Sequence, residues 1–404
     1  MIPEKIKDIL LDLRSAKWLR PILMLDKANV FIVGGCVRDA FIGKPSKDID
    51  IIVEGLPLEK IQELLRPFGK VDIVGESFSV IKFRPKGFVG EPYDIATPRQ
   101  DRKIGSGHKG FEIITDGITI EQDLKRRDFT YNSIAVDIKR MEILDPFNGL
   151  VDLKNNVLRA TDKTAFIEDP LRIIRGIQFA SRFGSTIEPN TLMLMRDNAD
   201  LVAEISGERI FEEINKILTK NGDTELAFKL LHETEVDRAL FGDKMFKTEG
   251  LGKLDPVSFY YVLGVLGGVN PAHFIKTRLK GDANLEKNVR ILDQILTEYP
   301  NITEKEEFLY FLFKKFEKAP EVMNAVILPA EVDQVVKQMK YKKIPMRMQD
   351  IQINGDDVIR ISGKKGTYVG QILDIMLRDA LMNRYDWKNR DVCIDRLSNL
   401  IYDY

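Results

Sequence analysis

The order of apolar and polar residues changes character a little over a third of the way along the chain. In the first 150 residues, short runs rich in Val, Ile and Phe are bounded by Gly, Pro or charge, which is typical of β-strands. These runs are NVFIVGG, KDIDIIV, KVDIVG, FSVIKFR and YDIAT. Further on, apolar residues recur at intervals of three and four, which predicts helices. The sequence therefore predicts an α+β protein, with a mixed α/β head followed by an all-α remainder.

The composition narrows the class of protein. The chain has 404 residues and is 44% hydrophobic, enough for roughly two to four domains with their own cores. Lys and Arg (61) balance Asp and Glu (62), so a nucleic-acid partner must be bound by a local basic surface and not by net charge. The two cysteines and three histidines are isolated, which gives neither a disulfide framework nor a zinc motif.

Nothing in the sequence predicts a membrane partner or a secretion signal. The longest apolar run, residues 257–269, is shorter than the roughly 18 residues that a spanning helix needs. The amino terminus is a charged amphipathic stretch without the apolar core of a signal peptide. A reduced, cytoplasmic protein is the expectation.

Two acids stand in an otherwise apolar strand-like run. In KDIDIIV, Asp48 and Asp50 are two residues apart, so on a strand both carboxylates point to one side, while Ile49 and Ile51 point to the other. Two carboxylates this close repel each other unless a cation lies between them, and Mg²⁺, which also binds substrate phosphates, is such a cation. The alternative is an edge strand with a solvated acidic face.

A glycine pair upstream favours the metal site. Gly34 and Gly35 follow the strand-like VFIV and precede the helix-like VRDAFIG, so backbone N–H groups at a helix start can approach an anion. A strand, a Gly-Gly turn, a helix and a strand with two acids together predict a compact unit for a metal-bound triphosphate.

Further motifs follow in a specific order. The set comprises GGCVRD (34–39), DID (48–50), RRDFTYNSIA (126–135), EDPLRIIRGIQFASRFG (168–184) and INGDDVI (353–359). In order and spacing it resembles the class II nucleotidyltransferases of the polymerase-β superfamily, which comprise tRNA CCA-adding enzymes and bacterial poly(A) polymerases. The resemblance implies a polymerase-β-like nucleotidyltransferase head with a mixed sheet (1–150), a helical neck that recognises the nucleobase (151–225), a helical body (226–325) and a helical tail that binds tRNA (326–404).

The expected roles of the acids and of Arg38 follow from the chemistry of phosphoryl transfer. That reaction is catalysed mainly by the positioning of the reactants and by metal ions. Asp48 and Asp50 are the expected Mg²⁺ ligands. The resemblance implies a third acid on a neighbouring strand, and Asp94 is the candidate to help activate the primer hydroxyl; the alternative is a turn residue. Arg38 is expected to contact the nucleotide phosphates, with an ion pair to Asp39 or Asp48 as the alternative.

The segment KRRDFTYNSIAVDI predicts a loop that opens onto a strand. Arg126 and Arg127 suit triphosphate oxygens because guanidinium groups bind them bidentately. Asp128 suits a ribose hydroxyl, and Asn132 is expected to support the same sugar. The alternative is a solvated basic loop.

The segment EDPLRIIRGIQ is expected to choose the base. Asp169 is placed to cap a helix whose first residue is Pro170, and Asp169, Arg172 and Arg175 then lie on one face. Cytosine and adenine share an amino donor beside a ring-nitrogen acceptor, so a carboxylate beside a guanidinium accepts both and rejects uracil and guanine. Relatives usually carry another arginine where this chain has Gln178. The alternative is a simple helix cap with solvated arginines.

Two other regions are expected to serve the RNA. Residues 97–117 are rich in Gly and charge and are similar to the family's flexible loop, although composition alone predicts only a mobile surface segment. Residues 336–347 hold five cations and no acid, and residues 363–374 place Gly and Lys before a helix start. Both suit contacts with a phosphate backbone, the alternative being a solvated basic surface.

The resemblance implies template-independent addition of C, C and A to the 3′ end of tRNA from CTP and ATP, with Mg²⁺ as cofactor and no obligate protein partner. A poly(A) polymerase, a CC-only or A-only enzyme, and an inactive tRNA-binding relative are the alternatives. The head motifs are the same in the CC-only and A-only variants, so the sequence leaves these open.

Overall fold

The computed structural model describes residues 2–44, 48–74, 80–103, 111–242 and 250–403. The chain divides into two compact units, Met1–Asp243 and Lys244–Tyr404. The finer division into head, neck, body and tail stays a prediction. In the described parts of the chain, no helix is long and apolar enough to cross a membrane.

The strands found among the described residues lie in the first unit. They are β1 Asn29–Val33, β2 Asp50–Glu54, β3 Gly69–Val74, β4 Val80–Pro85, β5 Tyr93–Ala96, β6 Gln100–Lys103, β7 Phe111–Ile114, β8 Ala135–Asp137, β9 Glu142–Leu144, β10 Val157–Leu158 and β11 Thr186–Ile187. Within the described residues, seven of them form one sheet in the order β3-β4-β5-β2-β1-β8-β9, while β6 pairs with β7 and β10 with β11. The β2–β5 pair is parallel and the other pairs of the large sheet are antiparallel. The predicted mixed-sheet head is confirmed.

Helices of the first unit pack on both faces of this sheet, and helices predominate in the rest of the described residues. In the first unit they are α1 Glu4–Ser15, α2 Arg20–Leu23, α3 Gly35–Phe41, α4 Leu58–Leu65, α5 Ile120–Lys125, α6 Gly149–Lys154, α7 Ala165–Glu168, α8 Leu171–Phe183, α9 Pro189–Asp197, α10 Gly207–Thr219, α11 Thr224–Glu233 and α12 Val236–Phe241. In the second they are α13 Pro256–Leu266, α14 Pro271–Phe274, α15 Ala283–Glu298, α16 Lys305–Lys318, α17 Ala330–Lys340, α18 Gly355–Ser362, α19 Thr367–Leu381 and α20 Arg390–Asp403.

Alternation along β2 decides which side of the sheet carries the acid. Ile51 and Val53 are fully buried in a core shared with α1, α3 and α4. Ile52 belongs to a smaller core on the other side, against α5. Side chains alternate along a strand, so Asp50 shares the side of Ile52. The predicted opposition of acid and isoleucine is confirmed for Asp50.

Asp48 lies outside the strand, and its predicted place within β2 is wrong. The ladder of β2 ends at Asp50, which pairs with Val33 on one side and Asp94 on the other. β1 offers no further partner, because the chain turns at Gly34 into α3. Ile49 keeps one backbone hydrogen bond to β5, from the Asp94 N–H at 3.3 Å, and Asp48 lies beyond it.

The sheet is wider than the early strand-like runs predict. The strand expected after RRDF is present as β8, and β9 extends the sheet beyond it. Strands β6 and β7 form a hairpin within residues 97–117, where composition predicted only a mobile segment. Residues 104–110, the middle of that segment, lie outside the described residues.

The motif INGDDVI starts a helix in the second unit. The Asn354 side-chain oxygen accepts hydrogen bonds from the backbone N–H groups of Asp356 and Asp357, at 3.0 and 3.1 Å. The Asp357 carboxylate accepts in return from the Asn354 N–H at 3.0 Å and also from Arg390 of α20 at 2.7 Å. The motif therefore caps α18 and joins it to α20.

Substituting Gly55, at the end of β2, is expected to disturb the acid-bearing strand. Gly55 has a φ of +85°, and an added Cβ would lie only 1.9 Å from the backbone oxygen of Lys27. Gly43 also has a positive φ, +74°, but has open space around it. Gly43→Ala should therefore lower the free energy of unfolding by about 1 kcal/mol, the cost of the left-handed conformation alone. Gly55→Ala should cost several times more, in a denaturant titration followed by circular dichroism; equal losses would contradict this packing.

Candidate active site

Two acids on neighbouring strands form the centre of the site. Asp50 on β2 and Asp94 on β5 are register partners in the parallel pair. Burial raises the pKa of the Asp50 carboxyl; Arg127 opposes this, and the charges of Asp94 and Asp48 raise the pKa further. Three acids thus contribute negative charge to one place, which favours the binding of a cation.

The donor set fits a hard divalent cation. Among the described residues, no three His, Cys, Asp or Glu side chains form a complete metal site by themselves. Mg²⁺, however, is commonly held by one or two carboxylates, with the remaining positions taken by water and substrate phosphates. Asp50, at the edge of the cavity described below, and the exposed Asp48 meet that requirement. Asp94 is engaged by Lys82, whose Nζ lies 2.8 and 3.1 Å from its two oxygens.

Gly34 occupies a position that only glycine fits. It precedes α3 with a φ of +76°, a backbone conformation that residues other than glycine rarely adopt. An added Cβ would lie 3.0 Å from Arg127 Nη1 and 3.3 Å from Asp50 Oδ2. Gly35 begins α3. The strand, turn, helix and strand occur in the predicted order, and the turn lies directly against the acid and an arginine.

A cavity of about 300 Å³ opens beside the acids. Its charged lining residues are Asp50, Asp94, Arg99, Arg126 and Arg127. Arg99 was not among the predicted residues, because it stands in a segment that composition assigns to a loop. Three guanidinium groups beside two carboxylates make a cavity suited to a metal-bound polyphosphate.

Asp123 orients two of these arginines, and sequence reasoning missed it. Its carboxylate is fully buried and accepts hydrogen bonds from Arg126 at 2.7 Å and from Arg127 at 3.1 Å. Burial alone raises the pKa of the Asp123 carboxyl, but Arg127 and Arg126 hold the pKa below its ordinary value. The spacing of three and four residues within a helical turn was a signal that could have identified it.

Arg38 is buried and is not one of the residues that line the cavity. Its guanidinium donates to Asp39 at 2.7 Å and to the side-chain oxygen of Asn132 at 2.6 Å, and it lies over the rings of Phe179 and Phe183. Only 5% of Arg38 is exposed. The ion pair with Asp39, which was the alternative for this residue, is present, and the contact with nucleotide phosphates stays a prediction.

Asp128 links the loop after α5 to α8. One of its oxygens accepts from the Phe129 N–H at 2.8 Å and from Asn132 at 2.9 Å, and the other accepts twice from Arg175, at 2.7 and 2.9 Å. Burial raises the pKa of the Asp128 carboxyl, but Arg175 and Asn132 hold it below the ordinary value. Four hydrogen bonds fill the acceptor sites of a carboxylate. A ribose contact at Asp128, which stays a prediction, needs one of them to open.

Arg175 has a second carboxylate partner that sequence reasoning missed. Its Nη1 lies 3.4 Å from Glu213 of α10, a buried residue. The charges of Asp128 and Glu213 raise the pKa of Arg175 above its ordinary value. No local spacing connects Glu213 to the motif on α8. Arg175 therefore holds α8 against both the loop after α5 and α10.

The two residues expected to recognise the base have different partners. Asp169 accepts from Arg209 of α10 at 3.4 Å and from the Leu171 N–H at 3.3 Å. Arg172 donates to the backbone oxygens of Ala165 at 3.0 Å and Arg126 at 2.5 Å. Asp169 therefore contacts the start of α8, which begins one residue later than predicted. The alternative of solvated arginines does not apply to Arg172, which is buried.

Gln178, where relatives usually carry arginine, is also buried. It is 1% exposed, and its side-chain nitrogen has no hydrogen-bond partner among the described residues. Glu213 on the facing helix α10 likewise has one oxygen without such a partner. Helices α8 and α10 thus carry a buried donor and a buried acceptor, respectively, without a hydrogen-bond partner among the described residues.

Comparison with known families identifies two segments of the first unit. Residues 30–159 match the Poly A polymerase head domain. Residues 184–243 match the domain described as the probable RNA and SrmB-binding site of polymerase A. The first match contains every charged residue that lines the cavity.

Individual relatives point the same way. The Multifunctional CCA protein of Xanthomonas campestris is 38% identical over 219 residues, which are 52% of this chain and 50% of that protein. The chain thus spans about half the length of the curated relatives it matches. The CCA-adding enzyme of Bacillus stearothermophilus, solved with CTP, has a TM-score of 0.70 at 24% identity, covering 99% of this chain and 98% of that one. The Thermotoga maritima CCA-adding enzyme, solved with tRNA, has a TM-score of 0.72 at 24% identity, covering 98% of each chain. These likenesses in structure show a shared fold.

The head motifs, the matched segments and the shared fold agree with one another. Residues 30–159 and 184–243 are similar to two domains of polymerase A, and the relatives and solved structures that the chain resembles include CCA-adding enzymes.

Proposed function

We propose that the protein adds C, C and A to the 3′ end of tRNA from CTP and ATP, without a nucleic-acid template and with release of pyrophosphate. One observation carries the proposal: Arg172 Nη2 donates a hydrogen bond to the backbone oxygen of Arg126 at 2.5 Å. This contact joins a residue expected to recognise the base to a residue expected to bind the triphosphate. A single nucleotide can therefore contact both Arg172 and Arg126.

The acids supply the metal site of this reaction. Enzymes of the family generally use a divalent cation, and we infer that it is Mg²⁺, held by Asp48 and Asp50 together with the nucleotide phosphates. When bound, such a cation stabilises the charge that develops on the attacking and leaving oxygens. Asp94, the register partner of Asp50, is assigned as the base that takes the proton of the primer hydroxyl.

The arginines of the cavity bind the triphosphate. Asp123 fixes the guanidinium planes of Arg126 and Arg127 before any nucleotide enters. A fixed guanidinium loses little conformational freedom when it binds an anion, so the site is preorganised. Arg99, on the same cavity wall, adds a third cation for the departing pyrophosphate.

Base choice is assigned to Asp169 and Arg172. Asp169 accepts from the amino group that cytosine and adenine share, and Arg172 donates to the neighbouring ring nitrogen. Uracil and guanine present a carbonyl beside an N–H, so they place acceptor against acceptor and donor against donor. Arg172 is held by two backbone oxygens, which keeps its guanidinium in one place for both accepted bases.

The products made on shortened tRNA test the proposed function. With CTP and ATP together, tRNA lacking one, two or three terminal nucleotides should be extended by one, two or three residues to a single final length. Asp50→Ala is the matched control and should add nothing while still binding tRNA, since Asp50 is assigned to the metal and not to RNA. Long adenosine tails would indicate a poly(A) polymerase, and premature arrest or a requirement for a pre-formed CC end would indicate a partial activity. Failure to incorporate any nucleotide would leave only the inactive relative.

Removing either base-recognition residue should reduce discrimination. Arg172→Ala and Asp169→Ala should each lower kcat/KM for CTP and ATP and raise the relative use of UTP and GTP. Each lost polar match should cost on the order of 1–3 kcal/mol, because its partner group is left unpaired in a desolvated pocket. The measurement is kcat/KM for all four nucleotides on shortened tRNA, beside a melting curve.

A helix-cap variant controls for structural damage. Asp223 caps α11 by accepting from the Leu226 N–H at 3.0 Å. Asp223→Ala should lower the stability by about 1 kcal/mol and leave the nucleotide preference unchanged. If the Asp169 and Arg172 variants behave in the same way as Asp223→Ala, the proposed recognition of the base is wrong.

A further inference from the structure

Lys82 stands beside the acids of the active site and has no role in the function proposed above. It lies on β4 directly opposite Asp94 in the antiparallel β4–β5 pair. Its Nζ donates to both Asp94 oxygens, at 2.8 and 3.1 Å. The side chains of Lys82 and Asp94 are 43% and 36% exposed, so this ion pair is open to exchange with solvent ions.

Four charged side chains form a row across this edge of the sheet, with a cation at each end and two acids between them. Register places Lys82 beside Asp94 and Asp94 beside Asp50. At the other end of the row, Arg127 Nη1 and Asp50 Oδ2 both lie close to Gly34. Two neighbouring carboxylates are thus flanked by one cation on each side, which offsets their mutual repulsion.

The two flanking cations differ in how firmly they are held. Arg127 is also bound by the buried Asp123. Lys82 has Asp94 as its hydrogen-bond partner and is otherwise influenced by the charges of Asp48 and Asp50. An ammonium on a flexible four-carbon chain moves more readily than a planar guanidinium that is bound on its far side. Lys82 is therefore the cation that a metal ion can displace.

We propose that Lys82 is a positioning residue that holds Asp94 in the acid row while no metal is bound, and that its positive charge competes with the divalent cation held by Asp48 and the neighbouring Asp50. The inference rests on the assignment of the acids to a metal site in the proposed function. Such competition lowers the affinity for the free cation. Productive binding is then favoured when the cation arrives with nucleotide phosphates, which add ligands and negative charge.

An ordinary surface ion pair is the competing explanation. Exposed Lys–Asp pairs contribute between about 0 and 1 kcal/mol to stability and have no effect on ligand binding elsewhere. The chain offers a matched example on α4, where Lys60 Nζ lies 2.8 Å from Glu63 and the Lys60 side chain is 50% exposed. Lys60→Met therefore removes an exposed lysine–carboxylate ion pair that is not part of the acid row.

Metal titration of the full-length protein, without nucleotide or RNA, tests the proposal. Lys82→Met should bind Mn²⁺ on the order of five- to tenfold more tightly than the unsubstituted protein, as measured by calorimetry or by the electron paramagnetic resonance signal of free Mn²⁺. Lys82→Arg, which keeps the charge, should stay within about twofold. Lys82→Gln provides a second neutral variant should Lys82→Met fold poorly, and Lys60→Met should match the unsubstituted protein.

The outcomes separate this inference from the proposed function. If the unsubstituted protein binds Mn²⁺ and both neutral variants bind it with the same affinity, the competition is absent and only the inference about Lys82 fails. If Lys82→Arg tightens binding as much as Lys82→Met, the effect is not one of charge, and the inference fails as well. If the unsubstituted protein binds no Mn²⁺ even with CTP present, the metal assignment fails and the proposed function fails with it.

Discussion

A buried carboxylate must be paired, and at Asp128 this requirement determines the geometry of the site. An unpaired charge at this depth would cost several kcal/mol. The pairing comes from two directions, with Asn132 of the same loop on one oxygen and Arg175 of α8 on the other. The pair therefore fixes α8 relative to the loop after α5. The start of α8, which carries Asp169 and Arg172, comes to lie beside Arg126 as a consequence.

The same rule shapes the surroundings of this pair. Arg38 donates a hydrogen bond to the Asn132 side chain, and Glu213 of α10 forms an ion pair with Arg175. Asp123 does the same for the arginines of the cavity. In each case a buried or half-buried charge is oriented by an opposite one before a ligand arrives, which is how a site avoids the cost of ordering its groups on binding. The acid row is the exception, since Asp50 and Asp94 lie next to each other, and it is there that the structure calls for an added cation.

Local pattern was sufficient wherever the signal lies within a few residues. The short runs rich in Val, Ile and Phe in NVFIVGG and KDIDIIV predicted β1 and β2, and the Gly-Gly turn predicted the start of α3, because backbone geometry at these points depends on neighbours in sequence. Spacing of the acids and arginines marked the residues around the cavity. The exact start of β2 was beyond this reasoning, since it depends on where the neighbouring strands end, and β1 turns at Gly34 into α3.

Partners distant in sequence could not be predicted. Lys82 meets Asp94 through strand register, and Glu213 and Arg209 meet the α8 motif through helix packing. A single sequence carries no trace of either contact, because nothing about an exposed-looking lysine or glutamate specifies which distant acid or arginine it will face. Short strands such as β9, with three residues, lack enough positions for alternation to be recognised. The motif residues could therefore be identified from the sequence, whereas the charged residues that orient them could not.

The coupling free energy between Asp128 and Arg175 tests most directly whether their contact positions α8. Asp128→Asn, Arg175→Gln and the double variant form a cycle, and amide hydrogen exchange of residues 171–183 in the full-length protein gives the free energy of opening of α8 for each. If the pair positions α8, each single variant should lower that free energy, and the double variant should lose less than the sum, with a coupling of about 1–3 kcal/mol. Losses that add to within about 0.5 kcal/mol would show that the two residues act independently and would contradict the central role given to their contact.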